Sequence, residues 1–166
     1  MIEYPRTIRD FSVFIDGFGY GGRATEAKLP ELKLQTANHR GSGMDAPVEI
    51  DMGMEALSAE VTLAEWRPEL ITMFGTTQRF TLRPAQMGQD DYSADEIICG
   101  LGGRFTVVNF ADLKPGNDVP MKLTAAVDFF EMEMNGTQLF KIDVKAGVRI
   151  IGGIDQLAEK RRAMGF

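Results

Sequence analysis

The segment most suggestive of chemistry is the glycine-rich run Gly17-Phe18-Gly19-Tyr20-Gly21-Gly22. Its glycine spacing, after an alternating strand pattern, is that of a dinucleotide-binding loop. Such a loop needs a helix directly after it, because the helix N-terminus holds the pyrophosphate. Pro30 follows Arg23 within about two helical turns, and no second parallel-strand unit comes next. The run therefore predicts a glycine-rich hairpin turn.

The other reactive residue types are few and isolated. His39 is the only histidine and lies in a glycine-flanked loop, where a loop or interface contact explains it more simply than catalysis. Cys99 ends the apolar run Ile97-Ile98-Cys99, which favours a buried small residue over a reactive thiol. Asp90-Asp91 and Asp95-Glu96 lack the alternate ligands and central glycine of a calcium loop, which favours a solvated acidic loop. We therefore predict no catalytic, cofactor-binding or metal-binding residue and no enzymatic activity.

Composition narrows the class of protein further. The 166 residues form one domain, 1-166, with a formal net charge of −6. That charge repels nucleic acid, although an acidic protein can still let DNA pass without holding it. No stretch approaches the roughly 20 apolar residues of a membrane span, and the first residues lack the apolar region of a signal peptide. With a single cysteine, we expect a protein made and kept in a reducing cytoplasm, without membrane contact.

Two-residue alternation dominates the chain and predicts strands. Two short helices are predicted at 68-74 and 155-164, the second with Asp155 as its N-cap and Lys160-Arg161-Arg162 near its end. Gly102-Gly103 is interpreted as a turn between two strands. The predicted strands or extended segments are 11-15, 23-36, 48-52, 57-63, 80-82, 97-101, 105-110, 121-134 and 137-144.

Asn135-Gly136 gives the sharpest local prediction, a two-residue β-hairpin turn. Counting back from this turn places Phe129 opposite Ile142 and Val127 opposite Val144 on one apolar face. The other face is polar and carries Asp128 opposite Asp143, an unfavourable pair unless screened, with Lys141 nearby. The adjacent Phe129 and Phe130 break the alternation and indicate a bulge.

The pattern as a whole predicts a mainly β fold, an antiparallel β-sandwich or barrel-like domain with one or two short α-helices. Regular strand–helix alternation is missing, which argues against a parallel, doubly wound sheet. A long extended hairpin loop is predicted at about 36-50, and the C-terminal helix at about 154-164. Long ordered loops tend to be functional, so this loop is a candidate site.

Several segments resemble one protein family. These are Phe14-Ile15-Asp16-Gly17, Leu29 to Leu32, His39 to Leu57, Met134-Asn135-Gly136, Ile142-Asp143 and Gly153 to Phe166. Together, in this order, they resemble the major tail tube proteins of contractile-tailed bacteriophages and of related contractile bacteriocins.

The resemblance implies an assembly. Members form hexameric rings whose sheets join into a continuous inner barrel, and the rings stack into the hollow inner tube of a contractile tail. The implied partners are further copies of the chain, the tail sheath protein, the tape-measure protein, and the baseplate and tail-terminator proteins. The tube would be a conduit for DNA ejection, and the DNA would pass through its lumen without specific binding. The implied location is the tail tube of the virion, assembled in the cytoplasm of the host bacterium.

Two alternatives stay open at this stage. The chain could form the tube of a DNA-free contractile bacteriocin or of a type VI-like injection system. A small β-barrel ligand-binding module is an alternative from a different class, and it would stay monomeric.

Two sets of site residues follow as expectations. Candidate contacts between subunits or rings lie in the long loop, where glycines let the backbone approach a partner; they are His39, Arg40, Gly41, Gly43, Met44, Asp45 and Pro47. Candidate lumen-lining residues are Asp128, Lys141 and Asp143, since like charge would keep DNA from adhering. An outer surface facing the sheath is the alternative for this second set.

Overall fold

The computed structural model describes residues 2–166, and its framework is antiparallel sheet. Seven strands come before the longest ones: β1 (Thr7–Ile15), β2 (Phe18–Gly19), β3 (Ala24–Lys28), β4 (Leu34–His39), β5 (Val48–Met54), β6 (Leu57–Leu63) and β7 (Thr77–Met87). Five follow: β8 (Ala94–Phe110), β9 (Met121–Met134), β10 (Thr137–Asp143), β11 (Val148–Ile151) and β12 (Ile154–Asp155). The helices are α1 (Pro68–Ile71) and α2 (Ala158–Met164). The predicted mainly β, antiparallel fold is confirmed.

One ten-stranded sheet folds over itself to make both layers of the domain. Its main path runs β12-β11-β10-β9-β8-β7-β1-β2, with β6 joining β9 and β3 joining β6. The first half of β9, Met121 to Val127, pairs with β6, and its second half, Phe129 to Met134, pairs with β10 on the same edge. One strand edge therefore serves two layers, and the sheet remains open at its ends.

The core lies between these two layers. Strand β6 buries Leu57, Ala59, Val61 and Leu63 and exposes the residues between them more, which is the predicted alternation. The opposing layer contributes buried side chains at alternate positions of the main path, including Val13, Ile15, Phe80, Leu82, Cys99, Leu101, Phe130 and Ile142. Leu70 of α1 is also buried in this core.

Asn135-Gly136 forms the predicted two-residue turn between β9 and β10. Both residues have positive φ, 51° and 81°, as this hairpin turn requires. The Asn135 side chain accepts a hydrogen bond from the Glu96 amide at 3.0 Å, and the Asn135 amide donates to the Glu96 carbonyl at 2.8 Å. The turn is thus fixed to the start of β8 as well as to its own hairpin.

The predicted turn at Gly102-Gly103 is wrong, because β8 runs through it as one seventeen-residue strand. The pairing with β9 shifts register at this point, which is a β-bulge. A Cβ on Gly103 would lie 2.3 Å from the Ala126 carbonyl oxygen. The glycine is therefore required by close backbone approach in the fold of the sheet.

The predicted register of the β9–β10 hairpin is wrong by one residue at its open end. Pairing shifts between Gln138 and Phe140, so Phe130 lies opposite Ile142 and Phe129 opposite Asp143. Asp128 and Asp143 are consequently not a directly opposed pair. Phe130, rather than Phe129, is buried, and Val144 is exposed beyond the end of the strand.

The structure also moves several predicted boundaries. The loop predicted at 36-50 is mostly hairpin, with only residues 40-47 between β4 and β5. The C-terminal helix begins at Ala158 with Leu157 as its N-cap, because Ile154–Asp155 pairs with β11 as β12. Asp155 accepts a hydrogen bond from the Leu157 amide at 3.0 Å instead of capping the helix.

We predict that Gly103→Ala destabilises the domain by at least about 2 kcal/mol, because the methyl group would overlap rigid backbone of β9. Gly21→Ala is the matched control, since an added Cβ there meets nothing within 4 Å. Urea unfolding curves of the two variants measure the difference. Equal midpoints would contradict the role of Gly103.

Candidate assembly surfaces

The most distinctive surface is a hairpin that stands apart from the main sheet. Strands β4 and β5 pair with each other and form a separate two-stranded sheet; we call residues 34–54 the arm. Every residue of β4 is exposed, and so is most of β5. An isolated two-stranded hairpin is marginally stable in water, so the arm depends on other contacts.

The two faces of the arm differ in chemistry. On one face His39 lies opposite Val48 and Ala37 opposite Ile50, while on the other Asn38 lies opposite Glu49. Met52, two residues beyond Ile50, is 63% exposed. The arm therefore presents an apolar face, with Val48, Ile50 and Met52 open to solvent.

A buried arginine anchors the polar face of the arm to the domain. Arg149 of β11 lies opposite Ile142 on the core side of the sheet, is 7% exposed, and donates to Asp51 at 2.5 Å. This hydrogen bond is the largest cause of a lowered pKa of Asp51, and a hydrogen bond from the Gly53 amide is the second. A lowered pKa means that the contact contributes fully above the ordinary pKa of aspartate and is lost as the pH falls through the lowered value.

Because Asp51 faces the domain, its neighbours Ile50 and Met52 point to the opposite side. The anchor thus holds the apolar face away from the contact with Arg149. Sequence reasoning missed Arg149. The available signal was one arginine inside the apolar strand Val148-Arg149-Ile150-Ile151.

The seven predicted interface residues come together at the tip of the arm. His39 is the last residue of β4, and the Arg40 Nε donates to the Met44 carbonyl at 3.1 Å. The Met44 amide donates to the Gly41 carbonyl at 3.3 Å, and Gly43 has a positive φ of 84°. Asp45 and Pro47 are exposed. The tip is a turn braced by its own backbone, with charged and apolar groups facing outward.

A second surface is the side of the main sheet that faces away from the core; we call it the polar sheet face. Its members alternate with the buried residues of β7, β8, β9 and β10. They are Arg79, Thr81, Arg83, Glu96, Ile98, Gly100, Gly102, Phe129, Glu131, Glu133, Lys141 and Asp143. Arg104, exposed and opposite Thr77, continues this side of β8, so the face carries cations and carboxylates in similar numbers.

Glycines keep the middle of the polar sheet face flat. A Cβ on Gly100 would lie 3.1 Å from the Glu131 side chain, and one on Gly102 would lie 3.3 Å from the Phe129 Cβ. The guanidinium of Arg79 lies 4.8 Å from the centre of the Phe129 ring, within the range of a cation–π contact. Side chains of β9 thus lie across the glycines of β8 and leave a smooth, charged surface.

The three predicted lumen residues lie on or beside this face. Lys141 and Asp143 belong to it, with the Lys141 Nζ 5.9 Å from the Phe129 ring centre. Asp128 lies at the bulge next to it and pairs with Lys145 at 2.6 Å. The Asp143 carboxylate accepts from the Ala146 amide at 3.0 Å.

Other candidate chemistry finds a structural explanation. The run Gly17 to Gly22 forms a hairpin turn at Asp16-Gly17, then β2 and a second turn, and strand β3 follows where a dinucleotide site needs a helix.

Burial raises the pKa of Cys99 to about 11, so its thiol stays protonated at neutral pH. Within residues 2–166 the structure shows no group of three or more His, Cys, Asp or Glu arranged to hold a metal ion. None of the described helices has the length and apolar character needed to cross a bilayer.

Comparison with known proteins gives a consistent result. The family model described as phage tail tube protein FII matches residues 5–165. The tail tube protein of Escherichia phage P2 is 28% identical over 169 residues, covering 98% of each chain. The major tail tube protein of Serratia phage KSP20 is 23% identical over 143 residues, covering 84% of each chain.

Solved structures agree on the fold. A chain in the cryo-EM structure of an extracellular contractile injection system, the PVC sheath–tube complex in its extended state, matches with a TM-score of 0.61 at 10% identity. The match covers 80% of this chain and 93% of the other. A chain in the structure of the sheath/tube terminator of the same kind of system also matches, with a TM-score of 0.61.

We predict that Arg149→Met loosens the arm while the domain stays folded, because methionine keeps the apolar volume and removes the donor to Asp51. Amide hydrogen exchange in β4 and β5 should be about tenfold faster than in the wild type. Lys33→Ala is the control, since it removes an exposed ion pair with Glu55 at the base of the same arm and should change little. Unchanged exchange in the Arg149 variant would show that the anchor does not hold the arm.

Proposed function

Because this chain belongs to the phage tail tube protein FII family, we propose that its copies close into hexameric rings that stack into the inner tube of a contractile tail. The single observation that carries this assembly is the arm, whose apolar face nothing in residues 2–166 covers. The protein acts as a structural component, and its work is self-association.

Ring closure is supported by the free edges of the main sheet. Strand β2 pairs only with Phe14 and Ile15, so most of the outer edge of β1, from Thr7 to Ser12, has no partner strand in the described chain. The other end of the path is β12, also two residues long. Pairing the β1 edge of one copy with the β12 end of the next is a head-to-tail contact, which closes into a ring when the rotation fits.

The polar sheet face is the proposed wall of the lumen. When the main paths of neighbouring copies join, one face of the resulting barrel points inward and the other outward. The core side carries the second layer, β3 and β6, which would obstruct a channel if it lay inside. The second layer therefore lies outside and the charged face lines the channel, with Lys141 and Asp143 on it and Asp128 beside it.

The arm then covers a neighbouring copy. Its apolar face projects from the domain, held by Arg149, and its tip from His39 to Pro47 extends farthest from the anchor. The tail sheath protein would surround the outer layer, the tape-measure protein would fill the lumen during assembly in the host cytoplasm, and baseplate and tail-terminator proteins would bind the tube ends. Relatives from two phages favour a tube that conducts DNA over a DNA-free device.

We expect the purified wild-type protein to form rings or tubes visible by negative-stain microscopy and light scattering, and Ile50→Asp to weaken their assembly. The aspartate places a charge on the apolar face of the arm, where burial against a neighbour would cost its hydration. Asn38→Lys is the control and should leave assembly unchanged, because it adds one charge to the polar face of the same arm, opposite Glu49. A wild-type protein that stays monomeric at high concentration, as a ligand-binding barrel would, refutes the proposed assembly.

For the lumen, we predict that Asp128→Lys with Asp143→Lys slows DNA ejection and reduces infectivity without preventing tube formation. Added cations on the channel wall would hold the phosphate backbone. The control variant combines Asp112→Lys with Asp118→Lys in the loop between β8 and β9, which reverses the same number of charges away from this face. Ejection at the wild-type rate in a phage carrying the lumen variant would place this face outside the channel.

A further inference from the structure

An acidic loop with an exposed tyrosine lies at one end of the main sheet. Residues 88–93 connect β7 to β8, and Tyr92 is 95% exposed. Arg6 donates to the Ser93 carbonyl at 2.9 Å, and Arg9 donates to the Gly88 carbonyl at 2.9 Å. Two arginines therefore fix the shape of the loop, and an aromatic ring is presented to solvent on an ordered support.

The loop keeps negative charge after its own pairs are made. Arg6 pairs with Asp95 at 2.8 Å and more distantly with Asp91 at 3.7 Å. Asp90 has no ion pair within the described residues. An exposed tyrosine beside an unpaired carboxylate is a good anchor for an apolar site with a basic rim.

A groove of that character lies at the C-terminal helix. It has a volume of about 390 Å³ and is lined by Val144, Lys145, Leu157, Lys160, Met164 and Phe166. Val144, Met164 and Phe166 are exposed, and α2 buries none of its seven residues. The apolar side of α2 is therefore uncovered, and the groove is large enough for an aromatic side chain.

Its cations are not equally available. Lys145 pairs with Asp128 at 2.6 Å, and Arg161 pairs with Asp155 and donates to the Gly147 carbonyl at 2.7 Å. Lys160 has no ion pair among residues 2–166. Its charge helps to lower the pKa of Asp51 without forming a salt bridge to it, so Lys160 is the groove cation best placed to meet a carboxylate from outside.

The loop and the groove lie at opposite ends of the strands. The loop adjoins the end of β9 at Met134, since Ile97 pairs with Met134 and Ala94 with Met87. The groove adjoins Asp128, whose carbonyl accepts from the Val144 amide at 2.9 Å. Six residues of strand separate the two positions, about 20 Å. Within one molecule the loop cannot reach the groove.

We propose that the acidic loop of one copy docks into the basic groove of a second copy, with Tyr92 between Val144 and Met164 and Asp90 against Lys160. The inference rests on the proposed function and specifies its contact between stacked rings. Different patches meet on the two copies, so the contact is head-to-tail and propagates along a stack. The loop and the groove lie at opposite ends of the strands, so this contact runs along the strand direction, whereas ring closure joins strand edges side by side.

Charge reversal and its rescue test the proposal. Tyr92→Ala, Asp90→Lys and Lys160→Glu should each raise the protein concentration needed for tube formation about tenfold, while hexamers persist. Combining Asp90→Lys with Lys160→Glu should restore assembly toward the wild-type concentration, because the pair is re-formed with opposite signs. Lys114→Glu, in the loop between β8 and β9, belongs to neither patch and should leave stacking unchanged. Sedimentation measures the amount of protein in tubes, and light scattering measures whether hexameric rings persist.

Intermolecular crosslinking provides a second measurement that does not depend on long tubes. Protein carrying Tyr92→Cys is mixed with protein carrying Val144→Cys and exposed to a mild oxidant. Cys99 is buried, so the introduced thiols react with each other. We expect mixed dimers on denaturing gels, and far fewer with Leu113→Cys in place of Val144→Cys, since Leu113 is exposed but outside the groove.

The outcomes separate the two proposals. Wild-type protein that forms neither rings nor tubes overturns the proposed function, and this inference with it. Rings whose stacking is unaffected by Tyr92→Ala and Asp90→Lys, or crosslinking no greater than with the Leu113 variant, overturn the inference alone. Loss of stacking in the single variants with recovery in the double variant supports it.

Discussion

The bulge where β8 and β9 cross from one layer to the other is the constraint on which the architecture depends. At Gly103 the two backbones approach so closely that a Cβ would lie 2.3 Å from the Ala126 carbonyl oxygen. The register shift there turns the sheet, so that β6 and β10 can share one edge of β9 without competing for it. The core between the layers and the smooth charged face outside them both follow from this turn. A strand without the bulge would extend a single flat sheet and leave one side of it without cover.

Sequence patterns predicted the local features well and the long-range ones less well. The Asn135-Gly136 turn, the buried alternation of Leu57 to Leu63 and the antiparallel class follow from rules that act over a few residues. Gly102-Gly103 was misread as a turn because a glycine pair has the same composition whether it lets a chain reverse or lets two backbones approach. Close approach depends on Ala126, which is far away in sequence. The start of α2 was misplaced for a related reason, since Ile154 and Asp155 pair with β11.

The position of the candidate site in the chain was predictable from the sequence, but the contacts that hold and orient it were not. Composition marked the run from His39 to Pro47 as an unusual loop, and the structure brings these residues together at one tip. The anchor that orients the arm was missed, because Arg149 is ninety-eight residues from Asp51 and acts through a pair that no short-range pattern encodes. Phe129 and Phe130 signalled a bulge, and β9 has one directly beside them at Asp128, in its pairing with β8. The shift that actually displaces Asp143 from Asp128 lies on the partner strand, at Leu139, where nothing in the local sequence marks it.

The exposed surfaces also suggest how rings and tubes can be ordered in time. In the proposed assembly each contact is small: strand β12, two residues long, limits the edge pairing, and one tyrosine with one carboxylate would occupy the groove. A single copy gains little from either contact, and a net charge of −6 keeps free copies apart. Once a ring closes, every contact on its face is presented at once, so that binding of the first copy brings the others to a high effective concentration. Weak contacts between single copies then become strong contacts between rings. On this argument stacking should depend steeply on prior ring closure, and the low affinity of each separate contact keeps free copies from adding irregularly to a growing tube.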